Sequence, residues 1–296
     1  MKALLQACWL QLTNAVTIRQ ALLYTALLLL ACWLQYQSSF TLWQLQYNAD
    51  SLLRLSCLFA AFLFAAICIS IPPGFLKTAP PGFWLLLLIL PLLFAAKIVV
   101  PGMLVSAPYA GSAVAAAWQL PLIWCTGCVI MTSCILLLHR IIEGRWSLYF
   151  IQAPTKLLPF LLLLGCMLPL LLLAATLPAF QQAYPKASTL WQSSNHSAPA
   201  LFVFEIAYLT DFVSTELFFR GLLPALLSRW LGYHSLLPIA FFYFSIHLGK
   251  PFLEAFSSFW GGLLLGSMAL HCRSVWGGWL VHAGMALLLE LFCYLL

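Results

Sequence analysis

The sequence predicts an all-α, polytopic integral membrane protein with about eight or nine transmembrane helices, and three observations carry this. Of 296 residues, 64% are apolar and only 7% are charged, whereas soluble domains carry about 25% charge. The mean hydropathy is +1.01. Leu-rich apolar runs of about 20 residues, the length that crosses a bilayer core, recur along the chain. Thirteen Lys/Arg and seven Asp/Glu cannot furnish the charged shell of a water-soluble fold, and abundant apolar surface excludes disorder.

The apolar segments fall at 20–37, 52–72, 82–100, 113–138, 157–179, 200–228, 233–248, 255–271 and 275–296. The first is preceded by residues 1–18, which read as a short amphipathic helix with Trp9 at the interface and Lys2 and Arg19 as flanks. The next spans are separated by a loop without Lys or Arg (38–51), a loop with Lys77 (73–81) and a second uncharged loop (101–112). Arg140, Arg145 and Lys156 then mark 139–156, and only Lys186 lies in the long polar loop 180–199. Arg229 and Arg273 mark the turns 229–232 and 272–274. Basic and non-basic loops alternate as successive spans require, which places the N-terminus in the cytoplasm. Arg54 and Lys97 are read as snorkelling near span ends. Lys250 is the one misfit, and 233–248 and 255–271 are short enough that eight spans compete with nine.

The net charge of +6 does not imply nucleic-acid binding, because the basic residues are scattered singly rather than gathered in a stripe. The ten cysteines are dispersed through apolar segments and do not form a disulfide framework. Cys125 and Cys128 lie inside a hydrophobic run, where they serve as small apolar contacts. No signal peptide is expected, since the first apolar stretch lacks a small-residue cleavage site.

The acidic residues divide the chain. Only Asp50 and Glu143 precede residue 200; Glu205, Asp211, Glu216, Glu254 and Glu290 crowd into the remainder, with His247 and His282. An ionisable side chain at a helix centre costs ~2.5–3.5 kcal/mol on insertion scales, so such residues face a protein interior and often mark function. In T-E-L-F-F-R-G, Glu216 and Arg220 are spaced i,i+4 and can pair on one helix face. His247 ends a span at Gly249-Lys250-Pro251, and Glu254 then falls in the first turn of the next helix, where a carboxylate suits the dipole. Ser258, Gly262 and Gly266 form a small-residue stripe for close helix approach. His282, Ala286 and Glu290 follow one stripe of the last span. His139, His196, His234 and His271 lie at membrane edges or in a loop and are assigned no role.

These residues resemble the CPBP family of intramembrane proteases, which includes the type II CAAX prenyl endopeptidases and Abi-like proteins. The resemblance rests on T-E-L-F-F-R, Y-F-S-I-H and H-A-G-M-A, and covers roughly 200–296. H-L-G-K-P-F-L-E, G-G-L-L-L-G and R-S-V-W point to a bacterial subgroup with a single glutamate in the first motif. The division implied is 1–199, transmembrane helices of unknown role, and 200–296, catalytic helices. Three positions depart from the family pattern. Thr215 replaces the first glutamate, which the family's characterised members use to activate water; Tyr243 replaces the motif aromatic; Ala286 replaces the final Asn/Asp and removes an oxyanion contact.

The resemblance implies an intramembrane endopeptidase acting on a membrane-associated peptide or protein, in the bacterial cytoplasmic membrane. Peptide hydrolysis there needs a water beside a base and a donor for the oxyanion. The expected roles are Glu216 and His247 for water activation, with Arg220 holding Glu216, His282 for the oxyanion, and Glu254 or Asp211 as the second acid. No cofactor is expected; the alternative is zinc on His247, His282 and Glu216. The competing functions are a pseudoprotease that binds a hydrophobic tail without cutting it, which Thr215 and Ala286 favour, and a transporter, against which the lack of an internal repeat counts.

Overall fold

The computed structural model describes residues 6, 10–11, 13, 16–38, 42–71, 73–106, 113–154, 157–194 and 196–296. The amphipathic helix expected over 1–18 lies largely outside the described residues. Thirteen α-helices follow in chain order: α1 (Ile18–Tyr36), α2 (Ala49–Ser70), α3 (Pro73–Thr78), α4 (Pro81–Ser106), α5 (Ala113–Glu143), α6 (Leu158–Ala175), α7 (Pro178–Ala183), α8 (Ser188–Ser193), α9 (Ala198–Glu216), α10 (Leu223–Leu231), α11 (Leu236–Ser245), α12 (Phe252–Cys272) and α13 (Trp276–Leu295). A π-helical turn, Leu217–Leu222, joins α9 to α10. No strand forms among the described residues beyond one isolated bridge between Ile151 and Ser274. The fold is all-α and polytopic.

Local chemistry explains the boundaries. Thr17 and Gln20 form a reciprocal capping box at the start of α1, satisfying two N–H groups that a helix end leaves orphaned. Asn48 caps α2 by accepting from the Ser51 N–H, and Ser197 caps α9 by accepting from Ala200. In α4 the helix runs through Pro91 and Pro101, which a transmembrane helix tolerates when neighbours cover the freed carbonyls.

Seven helices among the described residues are long and apolar enough to cross a membrane: α1, α2, α4, α5, α6, α12 and α13. The expected spans 200–228 and 233–248 account for the difference from eight or nine. The first is the continuous rod α9–π–α10, interrupted in its apolarity by Glu205, Asp211 and Glu216. The second contains α11, whose ten residues are all buried and extend only about 15 Å, too short to count as a span by length alone.

Packing makes a ring. Helix α2 packs on α4, α4 on α5, α5 on α9 and α9 on α13; α11 joins α2 to α12, and α12 touches α13. Helix α6 lies against α13. All six residues of the π turn are buried at the centre, where Phe218 and Phe219 meet Phe94 and Phe242. With lipid outside, these contacts gain packing rather than hydrophobic energy, and edge-on aromatic pairs contribute about 0.5–1.5 kcal/mol each. The outward faces stay apolar: Leu22, Leu88, Leu173, Phe202 and Leu295 are all exposed, as lipid contact requires. No disulfide links two described cysteines.

Candidate active site

The centre of the ring carries a connected set of polar side chains from three elements. Glu216 ends α9, Tyr243 lies on α11 with His247 two residues beyond it, and His282 lies on α13. Glu216 Oε1 is 3.0 Å from His282 Nδ1. A carboxylate has no proton to give, so Nδ1–H is the donor and Nε2 is left to accept. The Tyr243 hydroxyl lies 3.2 Å from His282 Nε2 and can donate to it. His247 Nδ1 is 2.8 Å from the Tyr243 carbonyl; that bond fixes its tautomer and leaves its Nε2 unprotonated. The two imidazoles face one another with centroids 6.3 Å apart.

The local backbone creates this arrangement. The i→i+5 pattern of the π turn begins directly after Glu216, a feature often found at functional sites. It leaves Arg220 Nε 3.4 Å from Glu216 Oε2, with both side chains fully buried. The guanidinium sits over the Tyr243 ring at 4.5 Å. Its nitrogens make no hydrogen bond, so it acts on Glu216 as a charge rather than as a forked donor. A Cβ added at Gly278 would stand 2.3 Å from Glu216 Oε2, so the bare glycine makes room for the carboxylate. Gly262, one of the predicted stripe, likewise admits Tyr243.

Glu216, His247, His282 and Arg220 therefore converge on one site. Glu254 does not touch them. Both its oxygens accept from the Tyr184 hydroxyl at 3.0 Å, and Lys250 Nζ lies 3.2 Å away. Lys250 also donates to Tyr184 at 3.1 Å. That neutralised cluster explains the misfit in the charge alternation, because Lys250 is spent on Glu254. Glu290 is tied separately, accepting from the backbone N–H of Lys186 at 2.8 Å.

Asp211 and Thr215 share a lysine partner. Lys97 on α4 reaches across with Nζ 2.5 Å from Asp211 Oδ1 and 3.3 Å from Thr215 Oγ1. Lys97 is buried, which corrects the expectation that it snorkels: α4 continues to Ser106, so Lys97 lies well inside it. Arg54, by contrast, stays at an exposed helix start, bonded to Gln44 and Ser51. Ala286 packs beside Tyr208, Phe212 and Ala283 and supplies no polar group. Tyr184 and Lys97 were not singled out from sequence as members of polar clusters.

Among the described residues no three His, Cys, Asp or Glu side chains are grouped to hold a metal ion. In the set considered for zinc, one Glu216 oxygen meets His282 Nδ1.

The fold and this centre define a polytopic membrane protein with a buried carboxylate–histidine pair facing a second histidine. Residues 197–288 match the family model of the type II CAAX prenyl endopeptidase, Rce1-like. The match takes in Glu216, Tyr243, His247 and His282, and at family level it supports a CAAX-type intramembrane protease. No curated protein and no solved structure matches the chain.

Proposed function

We propose that the chain is an intramembrane endopeptidase that hydrolyses a peptide bond in a membrane-associated protein or peptide. The observation that carries this is the 3.0 Å contact between Glu216 and His282, which joins the first and last motifs across a buried interface. Glu216 is fully buried, whereas the His282 side chain is 14% exposed, so substrate water meets the imidazole before the carboxylate. In this reading Glu216 fixes the tautomer of His282, and His282 Nε2 takes a proton as the water oxygen attacks the scissile carbonyl. The Tyr243 hydroxyl turns from His282 toward the developing oxyanion, opposite His247. The proton on His282 then passes to the leaving amine, the C–N bond breaks, and the free base is restored.

A second division of roles follows from the sequence: Glu216 and His247 activate water and His282 stabilises the oxyanion. The partial exposure of His282 favours the first. In both, the substrate enters from the bilayer, and the chain is assigned to the bacterial cytoplasmic membrane with its N-terminus in the cytoplasm. A pseudoprotease, which Thr215 and Ala286 favour, binds the same tail without cutting it. The test is incubation of the purified full-length protein with a library of C-terminal-tail peptides, reading product lengths by mass spectrometry. Cleavage that survives dialysis against a chelator and is lost in His282→Gln supports the proposal. Tail binding without cleavage supports the pseudoprotease.

A further inference from the structure

A cavity of about 840 Å³ opens away from this centre, at the C-terminal ends of α5, α10 and α12. Its lining includes Ser228, twelve residues past Glu216 along the α9–π–α10 rod and so roughly 18 Å from it at helical rise. Arg145, Arg229, Arg273, His139 and His271 line it, and Glu143 is the one acidic lining residue. Glu143 is already taken by Arg229, which also donates to the Ala225 carbonyl. Arg145 and Arg273 lie outside the helices and have no ion-pair partner among the described residues. Tyr149, 92% buried, lines the same space, and its hydroxyl lies beside Arg229 and finds no acceptor for its own proton among the described residues.

The position in the bilayer bears on the ligand. Trp146, Tyr233 and Trp276 are exposed around the cavity, where such aromatics mark the headgroup level of a membrane. The segments that form it, within 139–152, 225–233 and 270–273, belong to or border the basic loops of the alternating pattern, and the leaflet facing such loops carries the anionic lipids. Leu148, Phe150 and Leu270 also line the cavity and offer apolar wall beside the charges.

We propose that this cavity binds a phosphate-bearing anion, the headgroup of an anionic phospholipid, with Arg145 and Arg273 on the phosphate oxygens and the Tyr149 hydroxyl as a further donor. Planar guanidinium forks match phosphate oxygens and form charge-assisted hydrogen bonds. The test uses the full-length, delipidated protein and native mass spectrometry with phosphatidylglycerol, with phosphatidylcholine, and with inorganic phosphate as competitor. One phosphatidylglycerol is expected to remain bound under conditions that strip phosphatidylcholine. Arg145→Gln/Arg273→Gln should weaken that retention at least about tenfold, the loss of one charge-assisted hydrogen bond, while Arg54→Gln at the other end of the helices should not. If the double variant fails to fold, Tyr149→Phe serves instead and should weaken retention severalfold. Equal retention of both lipids, or a phosphatidylglycerol preference unchanged in the variants, overturns the proposal. Displacement of the lipid by inorganic phosphate also overturns it, in favour of a soluble ligand.

Discussion

Glu216 Oε1 and His282 Nδ1 lie 3.0 Å apart, although 66 residues separate them in the chain. The contact closes the gap between α9 and α13, and Arg220 and the bare face of Gly278 hold the carboxylate from the other side. Substitutions around this pair should affect chemistry more than folding.

Gly278→Ala places a methyl group where Glu216 Oε2 now stands. The carboxylate must rotate, and its bond to His282 is lost. Gly278 lies in the first turn of α13, where alanine gains at most roughly 1 kcal/mol of propensity over glycine, which offsets part of the crowding. The expected outcome is a near-unchanged unfolding temperature in detergent with turnover lowered at least about tenfold, the cost of one lost charge-assisted hydrogen bond. A large fall in stability with activity intact would contradict it.

Lys97 and Asp211 form an ion pair between α4 and α9 in which the lysine is buried. Removing one partner leaves an uncompensated charge, which costs ~3–5 kcal/mol in a buried pair. Lys97→Met should therefore destabilise by about 3 kcal/mol, the lower end because Asp211 is partly exposed. Lys97→Met/Asp211→Leu should destabilise less than Lys97→Met alone. Denaturation of the two singles and the double gives the coupling directly.

Glu254 is bonded to Tyr184 and Lys250 rather than to the histidines. If its role is to hold the chain around Tyr184 against α12, Glu254→Gln and Tyr184→Phe should lower turnover by similar, modest factors. Were Glu254→Gln as damaging as Glu216→Gln while Tyr184→Phe stayed fully active, Glu254 would be the second acid expected from the sequence.

Lys186 lies in the loop between α7 and α8, its ammonium over the Tyr184 ring at 4.8 Å. Desolvation, with Lys250 adding repulsion, lowers its pKa to about 8. The folded pKa lies below the unfolded value of about 10.4, so the burial penalty is fully present below about pH 8 and is relieved as pH rises from there toward about 10.4. Acylation of Lys186, followed by peptide mapping, should reach half-maximal rate near pH 8. A midpoint above 10, as for an exposed lysine, would contradict the burial.

Much of this was legible in the sequence because the signals were chemical exceptions in an apolar background. Glu216, Arg220, His247 and His282 stood out as ionisable residues in or beside spans, and their helical spacing brought them near one another. The span count was less legible. The ten residues of α11 read as part of a crossing, and their burial on all sides comes from neighbours that periodicity cannot see. Lys97 reads as near a span end because the apolar segment closes at residue 100, whereas the helix continues through Pro101 to Ser106. Tyr184 gave no signal, since its partner lies 70 residues away. Tyr243 was visible only as a departure from an aromatic motif, and its hydroxyl against His282 depends on the closeness that Gly262 permits.

The most direct measurement of the central claim is turnover of a membrane-associated peptide by the purified full-length protein, comparing wild type with Glu216→Gln and recording the unfolding temperature of each. Loss of the carboxylate that fixes His282 should lower the rate by on the order of 10²–10⁴-fold, the range for general-base catalysis, while the unfolding transition shows the variant still folded. Equal rates in the two proteins would contradict a hydrolytic role for the Glu216–His282 pair, and a wild type that cuts no peptide it binds would contradict the protease itself.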